Sequence, residues 1–432
     1  MSDAVLQKMR DAGVGEAAVR TFADQLERLR AGETGALPEA DLEPVASLPD
    51  ADELEAGDAP LDRVVVLKLN GGLGTSMGMT GPKSLLEVKD GLSFLDITAR
   101  QVQALRERTG AAVPFVLMNS FATSEPSMAA LARYEGLARE FLQNKVPKLD
   151  AETLEPVSWP ADPAKEWAPP GHGDLYAALQ TSGMLDGLLA EGFRYAFVSN
   201  ADNLGAVLDE RILAFFAREG LPFLMEVADR TAADRKGGHL ARRRDGGGLV
   251  LREIAQTPDE DVDAFQDTSR HRFFNTNTLW VDLEALRATL DEREGVLGLP
   301  MIVNRKTVDP SDASSTAVVQ LETAMGAAID VFAGAQAIRV PRTRFAPVKT
   351  TNDLLALRSD AYVLRDGAFV EPAGDTVPVV DLDPAFFKLV PDFEARFPAG
   401  APSLRGAQRF VVRGDVTFGP DVVVRGDAAL EA

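Results

Sequence analysis

The stretch LNGGLGTSMGMTGPKS, residues 69–84, sets five glycines and one lysine directly behind the apolar run Val64-Val65-Val66-Leu67. Such a run reads as a strand buried on both faces, of the kind found in parallel sheets. Glycine has no Cβ, so the turn that follows lets the backbone come close to a phosphate or to the flat face of a base. Successive backbone N–H groups in such a turn form a concavity that binds anions. Pro82 fixes the chain just before Lys83 and favours a set position for the ammonium. Two familiar phosphate loops fail on spacing. Pro82 separates Gly81 from Lys83, which breaks the P-loop pattern, and Met77 fills the third glycine slot of a dinucleotide fingerprint. The second failure also removes an NAD-dependent dehydrogenase. The competing reading of the loop is a structural turn with a solvated lysine.

Further apolar strand candidates lie at 113–118, 195–199, 223–227 and 278–281, with helical patterns between them at 95–106 and 127–141. Strands alternating with helices imply an α/β sheet covered by helices on both faces, with ligands beyond the carboxyl ends of the strands. Residues 1–60 read as a helical segment, periodic in Val5, Met9, Val14, Val19, Phe22 and Leu26, followed by an acidic, proline-dotted linker. Residues 61–365 form the expected main domain and 366–432 a C-terminal one. The tail, FVVRGDVTFGPDVVVRGDAAL, repeats valine-rich triplets between glycine turns and reads as a solenoid-like or β-helical segment, the alternative being a β-meander. Its two RGD triplets, at Arg413 and Arg425, read as turn chemistry.

The chain has 432 residues, enough for two or three domains with at least one large core. It has no cysteine, which excludes disulfides, thiolate metal sites and a cysteine nucleophile. The first thirty residues carry no signal-peptide core, and no apolar stretch approaches the roughly 18 residues of a membrane span. A cytoplasmic protein that binds no membrane is expected. A formal charge of −21 argues against nucleic-acid binding. An anionic ligand would therefore need a few lysines to make a positive pocket within a repulsive field.

The glycine loop resembles the signature of the eukaryotic-type UTP–glucose-1-phosphate uridylyltransferases, the UDP-glucose pyrophosphorylases. The blocks MNSFATSE, FLQNKVPKL, PPGHGDLYAAL, SNADNLGA, FFNTNTLWVDL, IVNRKT, VVQLETAMGAAI and VPRTRFAPVKTTNDLL resemble that family's, in the family's order, over about residues 64–356. The tail KLVPDFEARF…LRGAQRFVVRGDVTFG is also similar. The resemblance implies a Rossmann-like (GT-A-like) nucleotidyltransferase with a mixed sheet flanked by helices and a short C-terminal left-handed β-helix. It implies that UTP and glucose 1-phosphate give UDP-glucose and pyrophosphate with Mg²⁺, by in-line attack of the sugar phosphate on the α-phosphorus. Such chemistry needs positioning and charge neutralisation and no covalent nucleophile. Two other readings are the same reaction on galactose 1-phosphate or an N-acetylhexosamine 1-phosphate, and a catalytically silent paralogue. A monomer or weak homodimer is expected, because the tail looks shorter than the family's.

Individual positions follow from the same resemblance. Leu69, Asn70, Gly71 and Gly72 approach the nucleotide, as do Gly171 and Asn200. Asp202, just past a strand end, is the metal aspartate; a hard oxygen ligand suits Mg²⁺ there, and an Asx turn or helix cap is the alternative. His172, between two glycines, approaches the sugar phosphate. Gln143 is identified as the residue that bonds uracil, since a primary amide both donates to and accepts from an imide edge; on sequence alone it is an exposed glutamine at a helix end. Lys83 and Lys349 fall on the phosphates and are the catalytic pair, although Lys349 by itself reads as an exposed lysine before a helix. Asn275, Asn277 and Glu322 suit the hydroxyls of a hexose. The family commonly has asparagine where this chain has Thr278.

Overall fold

The computed structural model describes residues 4–374 and 376–432. The chain divides into two compact units, the first made of Met1–Leu67, Phe141–Val198 and Leu208–Pro341, the second of Lys68–Glu140, Ser199–Val207 and Arg342–Ala432. The fold is mixed α/β, with helices flanking a mixed sheet of ten strands.

In the first unit the strand Phe273–Asp282 is the centrepiece. It pairs antiparallel with Tyr195 to Val198 on one side and with Phe223–Asp229 on the other, while Gln336–Arg339 extends the sheet in parallel. Aromatic packing holds this region: the fully buried Trp280 ring lies 4.7 Å from Phe197 and 6.3 Å from Phe216. Its indole N–H donates to buried Glu226 at 2.9 Å, so neither polar group is stranded in the core. The register slips between Glu226 and Val227, opposite Thr276 and Asn277, and Asn277 takes the left-handed conformation with φ 55°. Bulges of this kind re-aim side chains and concentrate beside active sites.

The N-terminal helices Ala4–Asp11 and Glu16–Arg30 follow the expected periodicity. Val5, Met9, Val19, Phe22 and Leu26 are buried in one cluster with Val146, Leu149, Met301, Val319 and Leu321. That cluster seats the helices on a smaller antiparallel sheet made of Met301–Thr307, Ala317–Thr323 and Leu149–Asp150.

In the second unit the helix Phe94–Thr109 begins in a Ser93–Asp96 capping box and ends at Gly110, where φ is 72°. The helical pattern at 127–141 resolves differently. The helix is Ser124–Leu131, and the chain then turns through Gly136 (φ 64°) into the strand Ala138–Leu142. The helix is already over at Ala132, left-handed Gly136 lies in the turn that follows it, and Asn119 holds Glu140 of the new strand at 2.7 Å. Met77, Phe94 and Ile97 share one core with Leu354, Phe387, Phe393, Phe410 and Phe418. The C-terminal strands Val379–Leu382, Ser403–Arg413 and Val423–Glu431 pair in parallel throughout, which excludes a meander. Among the described residues no helix is long and apolar enough to cross a membrane.

Candidate functional site

The second unit carries the glycine loop. Asn70 is buried and points inward, donating its amide to Asn119 Oδ1 at 2.7 Å and Ser127 Oγ at 2.8 Å. Its side chain is spent as a brace beneath the loop, which leaves only its backbone to face outward groups. Ser120 Oγ donates to the Gly71 carbonyl at 3.1 Å, and the Lys83 N–H donates to the Gly72 carbonyl at 3.0 Å, closing the loop into a ring. Gly74 has φ 63°, and a Cβ there would sit 2.9 Å from Met79 Sδ. The ring therefore needs glycine at that position.

Lys83 and Asp202 meet. The ammonium donates to Asp202 Oδ2 at 2.5 Å. The Asp202 segment follows the strand Tyr195–Asn200 and is held rigidly: Lys68 Nζ donates to Ser199 Oγ (2.6 Å) and the Ala206 carbonyl (2.8 Å), and the Ala201 N–H donates to the Leu69 carbonyl (3.0 Å). The half-buried Asn200 thus lies beside the root of the glycine loop. Asn203, next to Asp202, donates to the Arg344 carbonyl at 3.1 Å and accepts the Ala346 N–H at 3.0 Å. It ties the aspartate segment to the segment that ends in Lys349. Lys349 is exposed, its N–H donates to Asp353 Oδ2 at 2.8 Å, and its ammonium lies 5.5 Å from the Phe345 ring. Glycine loop, Lys83, Asn200, Asp202 and the Lys349 segment are thereby joined within one unit.

The first unit carries the remaining positions. Gln143 is half-buried at the end of the strand Ala138–Leu142, not at a helix end as expected. Its neighbour Asn144 donates its N–H to Asp174 Oδ2 at 2.6 Å and its amide to Oδ1 at 2.9 Å. Asp174 is the last residue of PPGHGD, so this buried carboxyl clips Gln143 to the loop of Gly171 and His172. Burial raises its pKa to about 7 against the opposing pull of the two Asn144 donors. Sequence reasoning missed Asp174; its place in the motif was the available signal.

Gly171 has φ 80°, and a Cβ there would fall 2.5 Å from the Thr323 carbonyl, so glycine is required. The Thr323 N–H donates to the Pro170 carbonyl at 3.0 Å, laying this loop on the strand Ala317–Thr323 that carries Glu322. His172 Nδ1 accepts the Met325 N–H at 3.0 Å, which leaves the ring proton on Nε2. Next along the chain, a Cβ on Gly326 would lie 3.3 Å from Asn275 Nδ2. Asn275 and Asn277 bond to each other across the bulge, Nδ2 to Oδ1 at 2.9 Å and N–H to Oδ1 at 3.0 Å. Glu322 keeps 28% of its side chain exposed, with Lys306 Nζ at 3.5 Å. His172, Asn275, Asn277 and Glu322 thus gather around residues 322–326.

Burial lowers the His172 pKa to about 4. Its imidazole is expected to stay neutral throughout the physiological range and to titrate only near pH 4 by NMR; a midpoint near 6.5 would contradict the arrangement. An unfolded histidine takes up its proton near 6.5, so the His172 contribution to stability is full above that pH and is lost as pH falls towards 4.

The model of UTP–glucose-1-phosphate uridylyltransferase matches residues 17–425. The chain belongs to that family. It is 43% identical over 394 residues to the UTP–glucose-1-phosphate uridylyltransferase of Hordeum vulgare, covering 89% of this chain and 80% of the relative. To that of Solanum tuberosum it is 43% identical over 380 residues, covering 86% and 77%. Among solved structures, a mutant UDP-glucose pyrophosphorylase of Leishmania major in complex with UDP-glucose superposes with TM-score 0.93 at 48% identity, over 99% of this chain and 94% of that one. UDP-glucose phosphorylase of Trypanosoma brucei gives TM-score 0.91 at 48% identity with the same coverage.

Proposed function

We propose that this chain transfers the uridylyl group of UTP to glucose 1-phosphate. A phosphate oxygen of the sugar forms a bond to the α-phosphorus, the bond from that phosphorus to the bridging oxygen breaks, and pyrophosphate leaves. The observation that carries the reading is the joining of Lys83, Asp202 and the Lys349 segment behind a glycine loop, in a chain matched to this family almost end to end. The backbone at Leu69, Asn70, Gly71 and Gly72, with Gly171 and Asn200, receives the nucleotide, and Gln143 reads the uracil imide edge. The neutral His172 offers Nε2–H to the sugar phosphate. Asn275, Asn277 and Glu322 take the hexose hydroxyls. Thr278, which departs from the family's usual asparagine, is fully buried in its strand and presents nothing to a sugar. Lys83 and Lys349 neutralise phosphate charge.

The Asp202 carboxylate fits Mg²⁺. It is a hard oxygen donor at a strand end with 23% of its side chain exposed, and Mg²⁺ binds through one or two carboxylates, substrate phosphates and water. When bound, the cation would supply further charge neutralisation on the phosphates.

Every group assigned here comes from one chain, so a monomer or weak homodimer suffices. We read residues 1–60 as an N-terminal segment, 61–365 as the catalytic domain and 366–432 as a short left-handed β-helix. Parallel strands normally need a crossover of about a dozen residues or more, whereas residues 414–422 alone join the last two strands, as in one turn of a solenoid. We place the reaction in the cytoplasm, as suits an acidic chain acting on small phosphorylated solutes.

Pyrophosphate release assayed with UTP, CTP and ATP against glucose, galactose and N-acetylhexosamine 1-phosphates tests the reading. UTP with glucose 1-phosphate should be preferred, because cytosine presents the wrong donor pattern to Gln143. A preference for CTP or ATP would overturn it, and no release with any pair would favour the silent paralogue.

A further inference from the structure

Lys83 and Asp202 are assigned to different partners, one to phosphate and one to a cation, yet here they bind each other at 2.5 Å. Their side chains are only 18% and 23% exposed, so solvent screens this pair less than a pair on an open surface. Among the described residues no group of three or more histidines and carboxylates stands ready to hold a metal. Asp202 is thus a single ligand whose charge is already cancelled.

We propose that the Lys83–Asp202 ion pair is a latch that keeps the divalent cation off Asp202 until the nucleotide arrives, so that metal enters with UTP and not before it. The proposal rests on the reading of the chain as a UTP-dependent transferase. An ammonium on Oδ2 occupies a position a cation needs and repels it. A triphosphate brings several anionic oxygens to Lys83, which can exchange its carboxylate for phosphate. Asp202 is then left facing a cation chelated by the same phosphates. The number of opposite-charge contacts is conserved, so the exchange proceeds without leaving a half-buried charge alone. Little of the protein needs to move: Pro82 and the bond from the Lys83 N–H to the Gly72 carbonyl fix the lysine backbone, and Lys68 holds the aspartate segment at both ends. Rotation of one lysine side chain releases the latch.

Linkage makes the proposal measurable. If nucleotide frees Asp202, then UTP and metal each raise the other's affinity by the same factor, and part of that factor belongs to Lys83. Mn²⁺ serves as the probe, followed by electron paramagnetic resonance and water proton relaxation, which read bound metal without turnover. Free wild-type enzyme should bind Mn²⁺ weakly. Lys83→Gln should bind it about tenfold more tightly without nucleotide, at the lower end of ordinary coupling factors, and its coupling to UTP should shrink equally. Adding Asp202→Asn should abolish the gain, and Lys83→Arg, which keeps the charge, should stay weak. Lys83→Met, of similar shape, replaces the glutamine variant if circular dichroism shows that one unfolded. Mn²⁺ binding by free Lys83→Gln or Lys83→Met no tighter than wild type overturns the latch. Wild-type enzyme that holds no Mn²⁺ even with saturating UTP overturns the metal assignment itself, whatever the lysine variants do.

Discussion

Asp202→Ala is expected to lower kcat by about 10²–10³ at every attainable Mg²⁺ concentration, the usual cost of removing one preorganised charge-stabilising group. Excess cation should not rescue it, because the described residues hold no cluster of carboxylates that could take over. The segment around Asp202 should survive the change, since Lys68, Asn203 and the Ala201 N–H hold it without the carboxylate. Metal-free UTP should bind the variant no worse than wild type, because Lys83 then has no carboxylate to leave. Asp209 is the control. It caps the helix Glu210–Arg218 through the Arg211 N–H at 2.8 Å, so Asp209→Ala should cost about 1 kcal/mol of stability and spare turnover. Steady-state rates over a wide Mg²⁺ range, with thermal melts of both variants, decide it. Recovery at high Mg²⁺, or full wild-type activity in chelator, would sink the metal role.

Local chemistry made some of this site legible in the sequence. A valine run followed by glycines has few folded options, and strand Val64–Asn70 with its turn at Gly74 is the outcome. The N-terminal helices were legible because Val5, Met9, Val19, Phe22 and Leu26 recur at the helical period on a single face. Where tertiary contacts decide, the pattern misleads. The apolar spacing across 127–141 suits a helix, but Gly136 and the bond from Asn119 to Glu140 draw its second half into a strand and carry Gln143 to a strand end. The strand Phe273–Asp282 was visible only in its apolar half, since Asn275, Thr276 and Asn277 are polar residues of a bulge, where the two asparagines bond each other and Thr276 donates to the Glu226 carbonyl of the neighbouring strand.

Long-range polar partners were not legible at all. Nothing in local spacing tells Lys83 that its counter-ion lies 119 positions away, or Asp174 that Asn144, 30 positions earlier, will meet both its oxygens. Carboxylates are ordinarily exposed, so a buried one is announced only by the fold. Asn70 shows the same limit from the other side. Its neighbours mark it for a ligand, while its amide is committed to a buried brace beneath the loop.

Lys349 should matter more for turnover than for ground-state binding, whereas Lys83 should affect both. Lys83 is fixed by Pro82 and by the Gly72 carbonyl at the mouth of the glycine loop, so it should meet the triphosphate whenever UTP is bound. An interaction present in ground and transition states alike changes affinity. Lys349 is placed differently. Its backbone is anchored by Asp353 in the capping box of the helix Thr351–Arg358, while its exposed side chain lies over the Phe345 ring in a segment tied to Asp202 through Asn203. An ammonium so held gains most when the sugar phosphate closes on the α-phosphorus, where repulsion between the two anions peaks. Lys349→Ala should therefore lower kcat by about 10²–10³ with little change in the UTP dissociation constant. Lys83→Ala should weaken UTP binding as well as turnover, softened by the carboxylate it no longer has to leave. Calorimetry of UTP binding beside steady-state kinetics on both variants separates the roles. Abolished UTP binding with kcat intact at saturation in Lys349→Ala would reverse the assignment.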